Sequence, residues 1–169
     1  TRHTLYAGAL RDADPVANLL LLNEAVLRRG GSVHFCTVVT AALRPREDGS
    51  VAVQLANGGH PPPLLLRADG RVEETTARGT LIGALPQPRL VAQDLVLRPG
   101  DLLLLYTDGV TELRTEDPDE GLRRLHECLD GLAGRPADEV AAAVERSVGE
   151  AAGGEPRDDV AVLAIRAAP

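Results

Sequence analysis

Residues 102–109, Leu-Leu-Leu-Leu-Tyr-Thr-Asp-Gly, constrain the fold more than any other stretch of this chain. A short unbroken apolar run closed by Asp-Gly reads as a strand buried on both faces that ends in a sharp turn. Such a strand needs a sheet around it and cover on each side. It also delivers one carboxylate, Asp108, to the rim of that sheet. Near the other end of the chain, Arg157-Asp-Asp-Val-Ala-Val-Leu-Ala-Ile165 shows the same association in reverse, with Asp158 and Asp159 first and the strand second.

The elements around these two strands are segregated. Leu5, Ala9 and Leu10 fall on helical spacing within 3–11. Asp14-Pro15 then supplies an N-cap and a proline at the first helical position. Val16, Leu19, Leu20, Asn23, Val26 and Leu27 predict the buried face of a second helix, stopped by Gly30-Gly31. From Phe35 to Leu43 the pattern turns β-branched and alternating, with a hairpin loop at 44–49 and a return strand at 51–56. Asn57-Gly-Gly-His-Pro-Pro-Pro63 is a stiffened loop. Short strands are expected at 64–66 and near Val72, irregular chain over 75–89, and a strand over 90–97. After Gly109 come a polar surface loop at 114–119, helices near 119–131 and 136–151, a Gly-rich linker and a last strand over 160–165. Helices, then many antiparallel strands, then helices and a strand predict an α+β fold, a sheet sandwich flanked by helices, in a single domain spanning 1–169.

A net charge of −7 argues against a general nucleic-acid binder, which needs a basic face for the phosphates. All 18 basic residues are arginine. The two cysteines, Cys36 and Cys128, lack metal-ligand spacing and read as reduced and structural, in keeping with a cytoplasmic protein. No apolar run is long enough to span a bilayer. No nucleotide-binding glycine motif or nucleophile elbow occurs.

The chemistry-bearing candidates are therefore few. Asp108 is either a turn residue or a functional acid, and Asp158 and Asp159 are either solvated loop acids or a second rim of the same site. Oxygen-only acids at strand rims suit Mg²⁺ or Mn²⁺ better than Zn²⁺. His60, between Gly59 and Pro61, has a restrained backbone that either places an imidazole or forms a tight corner. His3, His34 and His126 have no partner at helical spacing and read as structural.

Taken together, residues 56–67, 98–112 and 157–166, with Phe35-Cys-Thr-Val-Val39 and the Leu22-Asn23 helix, resemble the stage II sporulation protein E type of bacterial phosphatase, in the metal-dependent protein phosphatase (PPM) superfamily. The resemblance implies an α-β-β-α sandwich of two mainly antiparallel sheets. It implies a two-metal Mn²⁺ or Mg²⁺ centre with Asp108 and Asp158 as carboxylate ligands, and Asp159 and Gly109 close behind them or at the metal. Asn57, Gly59 and His60 fall on an active-site loop. The implied reaction is hydrolysis of phosphoserine or phosphothreonine on a regulatory protein, an anti-sigma-factor antagonist, by a metal-activated water without a covalent enzyme intermediate. No side chain is then a catalytic nucleophile, and the chain is free to act as a dimer. An Asp-x-x-Gly-x-Gly segment, which in the family precedes the first helix and supplies the metal-bridging acid, does not occur in these 169 residues. They hold half of a site, and Ala161 stands where the family often has Thr. The alternative expectation is a regulatory or binding module of the same fold without metal chemistry.

Overall fold

The computed structural model describes residues 2–11, 14–28, 35–112, 119–152 and 159–168. Gly30-Gly31, His34, most of the polar loop at 114–119, the linker at 153–156 and Asp158 lie outside the described residues. In chain order the elements are α1 (Arg2–Arg11), α2 (Pro15–Leu27), β1 (Val38–Pro45), β2 (Val51–Gly58), β3 (Leu64–Leu66), β4 (Val72–Glu74), β5 (Arg78–Gly79), β6 (Leu90–Val91), β7 (Gln93–Leu97) and β8 (Leu102–Tyr106). A single 3-10 turn at Asp108–Val110, α3 (Glu120–Leu129), α4 (Ala137–Ala152) and β9 (Val162–Arg166) complete the order. Among the described residues no helix is long and apolar enough to cross a membrane.

The chain divides into two compact units. The first comprises residues 1–46, 51–62 and 76–96 and holds a three-stranded sheet, β1-β2-β7, with β1 antiparallel to β2 from Val38↔Gly58 to Pro45↔Val51. Helix α2 starts as expected, with the Asp14 carboxylate accepting from the Val16 N–H at 2.8 Å. Its buried face differs from the expected one. Pro15, Asn18, Leu19, Leu22 and Asn23 are buried, whereas Leu20 is 45% and Leu27 40% exposed. Leucine fills all of 19–22, so the phase of the apolar stripe cannot be read from leucines alone. Polar side chains decide it. Asn23 turns inward, accepting from the Gly83 N–H at 2.7 Å and donating to the Leu85 carbonyl at 3.0 Å. Leu19 and Leu22 then pack with Ala56 and Ile82.

Several strand boundaries also move: the strand expected from Phe35 begins at Val38, and the last, expected over 160–165, is Val162–Arg166. Arg44 and Pro45 extend β1 instead of opening the hairpin loop. Strand β1 lies at the edge of its sheet, where a proline's missing N–H costs little. The strand expected over 90–97 is two strands, because Leu90–Val91 pairs with Arg78–Gly79 while Gln93–Leu97 joins the β1-β2 sheet. The change of partner gives the segment read as irregular a strand of its own, β5. The Gln93 side chain supports this junction by accepting from the Thr76 and Ala77 N–H groups.

The second unit comprises residues 47–50, 63–75 and 97–169 and holds a four-stranded sheet in the order β4-β3-β8-β9. All three pairings are antiparallel, with Leu64↔Leu104 and Tyr106↔Val162 setting the register of β8 against its neighbours. Leu64, Leu66, Leu102, Leu104 and Tyr106 form one core with Leu125 and Leu129 of α3 and Val140, Val144 and Val148 of α4. Leu65 and Leu103 point to the opposite face and are 3% and 0% exposed. Strand β8 is thus buried on both faces along 102–104, which is why it reads as an apolar run and not an alternation. Each fully buried leucine contributes roughly 1.5–3 kcal/mol. The strand is consequently a stiff base for whatever follows it.

Candidate functional site

Asp108 stands at the first position of the 3-10 turn that ends β8. The turn closes on its own backbone, with Val110 N donating to the Thr107 carbonyl and Thr111 N and Glu112 N to the Asp108 carbonyl, at 2.7–3.0 Å. Below it, Val110 is 1% exposed and belongs to the α3–α4 core. Helix α3 holds it from the side. Arg124 donates from Nη2 to the Val110 carbonyl at 2.8 Å, and Gly121 lies so close that a β-carbon there would fall 1.7 Å from the Thr111 oxygen. The fold therefore fixes the position of Asp108 through backbone and core. Its carboxylate, half-buried, accepts from the Gly109 N–H at 3.1 Å and pairs with no arginine among the described residues. Gly109 is itself buried.

Asp159, exposed, precedes β9 on the neighbouring strand. Thr107 joins it to the Asp108 turn. The Thr107 hydroxyl donates to the Asp159 carbonyl at 2.8 Å and accepts from the Ala161 N–H at 2.9 Å, while Thr107 N donates to the Ala161 carbonyl at 3.1 Å. The structure thus brings Asp108 and Asp159 to the same end of the β8–β9 pair. Sequence patterning had no means of finding Thr107, because a single hydroxyl bridging two segments leaves no periodicity.

The loop residues belong to the first unit. Asn57, 1% exposed, clamps the turn that follows β2, donating from Nδ2 to the His60 carbonyl at 2.9 Å and accepting the His60 N–H on Oδ1 at 2.8 Å. Gly59 sits at φ +76°, and a β-carbon there would lie 2.8 Å from Leu81 Cδ2. Both constraints select glycine. The imidazole Nδ1 of His60 lies 3.0 Å from the Thr37 hydroxyl. Asn57 and His60 therefore form a rigid corner, with the imidazole held by Thr37.

The other acids and the thiols sort away from this chemistry. Asp101, at the opposite end of β8, has a carboxylate filled by donors: Ala68 N, Arg98 N and Arg67 Nη1 at 2.9–3.0 Å. Burial alone would raise its pKa, but those N–H bonds and the Arg67 charge outweigh it and hold the carboxyl below the usual range. Cys36 and Cys128 are unpaired and half-buried, and burial pushes both thiols up, away from the reactive thiolate.

Oxygen donors on a fixed rim, with one hydrogen bond on Asp108 and no counter-charge among the described residues, have the donor chemistry of a hard divalent ion. Asp108 fits as one ligand of such a set. Among the described residues no three His, Cys, Asp or Glu side chains lie close enough to hold an ion.

The sequence that carries these pieces is matched by a family model. The model described as stage II sporulation protein E (SpoIIE) covers residues 1–168. The chain belongs to that family. Its fold matches solved SpoIIE-family and PPM domains. The RsbU and RsbW domains of Rv1364c from Mycobacterium tuberculosis superpose with a TM-score of 0.82 at 23% identity, over 99% of this chain and 46% of that one. The phosphatase domain of SpoIIE from Bacillus subtilis, presoaked with Mn, gives 0.67 at 20% identity, over 99% and 72%. The PPM Ser-Thr phosphatase MsPP of Mycobacterium smegmatis, in complex with cacodylate, gives 0.63 at 21%, over 98% and 79%. Among curated proteins, IcfG of Synechocystis sp. (strain ATCC 27184 / PCC 6803 / Kazusa) is 27% identical over 110 residues, 64% of this chain and 17% of IcfG. The chain thus spans less than half the length of Rv1364c as solved and under a fifth of IcfG. The SpoIIE family and the PPM-type α+β fold support a phosphatase or regulatory role.

Proposed function

We propose that residues 1–169 act as one phosphatase-like domain that hydrolyses phosphoserine or phosphothreonine on a regulatory protein, of the anti-sigma-factor-antagonist kind, in the cytoplasm. The observation that carries this reading is the contrast between the two acids that flank β8. Asp101 is filled by three donors, whereas Asp108 has a single N–H bond on its carboxylate among the described residues. Asp108 and Asp158 would hold Mn²⁺ or Mg²⁺, with the Gly109 N–H orienting the Asp108 carboxylate and Asp159 beside them. A bound divalent pair would supply charge neutralisation on the phosphoryl oxygens and an acidified water. The protein's part is positional. The Asp108 turn fixes its acid from β8 and α3. The bond broken is phosphorus to side-chain oxygen; water supplies the hydroxyl on phosphorus and, in net terms, the proton on the released alcohol.

The second reading is a non-catalytic regulatory or binding module of the same fold without metal chemistry. One experiment separates them. The protein, with whatever natural sequence precedes Thr1, is assayed on a phosphoserine protein substrate with and without Mn²⁺. Mn²⁺-dependent phosphate release, lost in Asp108→Ala, is the expected result. No release, or release unaltered by Asp108→Ala, overturns the phosphatase reading.

A further inference from the structure

The antiparallel pairing of β8 with β9 runs up to Tyr106↔Val162, one residue short of the Asp108 turn. Beyond it, Thr107 links the two acid-bearing segments. Thr107 occupies the N-cap position of the 3-10 turn, in extended backbone at φ −82° and ψ 161°. A threonine there ordinarily turns its hydroxyl onto the N–H groups of its own turn. Here it makes no such cap bond. The hydroxyl instead reaches across, its hydrogen on the Asp159 carbonyl and its lone pair on the Ala161 N–H. Donating and accepting at once, it fixes both the distance and the slide of one segment against the other. Valine, of the same shape, could do neither.

We propose that Thr107 is a positioning residue for divalent-ion binding, setting the spacing between Asp108 and the backbone of 159–161. The proposal rests on the reading of Asp108 as a metal ligand. A hard ion tolerates ligand distances over only a few tenths of an ångström, so a slackened rim weakens binding even when every ligand remains. Groups that orient ligands from behind typically change metal affinity by about 10–100-fold when removed.

The test measures Mn²⁺ binding to the chain by electron paramagnetic resonance of the free ion, for wild type, Thr107→Val, Thr107→Ser and Asp108→Ala, with metal-free melting temperatures alongside. Thr107→Val is expected to weaken binding by about tenfold, and Thr107→Ser, which keeps the hydroxyl, to restore it to within about twofold of wild type. If Asp108→Ala weakens binding while Thr107→Val binds as wild type, the link is merely structural and the proposal falls. If Asp108→Ala leaves binding unchanged, the metal reading fails and takes the proposal with it. Should Thr107→Val not fold, hydrogen exchange of the Ala161 amide in the wild type decides, because coupling between ion and link is reciprocal. Mn²⁺ is expected to slow that exchange, and an unchanged rate overturns the proposal.

Discussion

Arg67 donates from Nη1 to the Asp101 carboxylate at 2.9 Å, joining the end of β3 to the start of β8 in a pair whose acid side chain is 3% exposed. The same guanidinium reaches Glu73 beyond β3, at 2.9 Å from Nη2 and 3.1 Å from Nε. Three elements are thereby gathered at the end of the sheet remote from Asp108. Because the Asp101 carboxylate is the acceptor for both backbone and side-chain donors, the arrangement depends on its charge.

That dependence has a direction. The folded-state pKa of Asp101 is depressed, so the stability it contributes is present above its unfolded value, about 3.9, and is lost as pH falls through the lower folded value. Acid titration of wild type is expected to show a stability loss beginning below about pH 4–5, part of which is absent in Asp101→Asn. At neutral pH the variant should be destabilised by about 3 kcal/mol, since its amide nitrogen must face either the Ala68 N–H or the Arg67 and Arg98 donors and the nearly buried charge pair is broken. Urea melts at several pH values check both statements; equal slopes of stability against acid pH in the two proteins would contradict the first.

Asn23 carries the second prediction. Its side chain satisfies the Gly83 N–H and the Leu85 carbonyl from the buried face of α2, beside Leu19 and Leu22, and is 2% exposed. Asn23→Leu matches the apolar pattern of α2 better but leaves both backbone groups without that partner. A loss of about 2 kcal/mol is expected, or a melting temperature lower by about 4–8 °C for a chain of this size. A variant as stable as wild type would mean that the 83–85 loop re-pairs with water.

The Asn57 clamp makes a local prediction. Asn57→Ala removes both bonds to the His60 backbone, so amide exchange at His60 should accelerate more than at β2 residues such as Val53. The expected cost is about 2–3 kcal/mol. Uniform acceleration along β2 would show instead that the clamp supports the whole sheet and not the corner alone.

These cases also show what a sequence carries and what it does not. Strand β8, its Asp-Gly turn, the Asp14-Pro15 start of α2 and the Asn57–Pro63 loop were all legible, because each is a local signal: an apolar run, a cap, a stiff turn. The face of α2 was not, because four consecutive leucines satisfy more than one helical phase and Asn23 is oriented by a loop sixty residues away. The division of 90–97 into β6 and β7 was hidden for the same reason, since a change of pairing partner leaves the local alternation nearly intact. At the candidate site the acids were visible, but what distinguishes Asp101 from Asp108 is not the residue. It is the number of donors that distant segments bring to each. Asp158, the other acid expected at the site, lies outside the described residues.

Gly121 provides the sharpest test of how the Asp108 turn is held. A β-carbon at this position would sit 1.7 Å from the Thr111 oxygen and 2.7 Å from its α-carbon, backbone atoms that no rotamer change can clear. On propensity alone Gly121→Ala should stabilise α3 by about 1 kcal/mol. The close approach should win. Either α3 or the turn must move by more than an ångström, and Arg124 would then lose its 2.8 Å bond to the Val110 carbonyl. The expected result is a net destabilisation of about 2–4 kcal/mol, the usual scale for a backbone-level clash or overpacking in a core, with chemical-shift changes concentrated at 108–112. Helix α3 would in that case be shown to act on Asp108 through the backbone of its turn. A stabilised variant with unshifted resonances at 108–112 would mean that the helix and the turn are not in the close contact described.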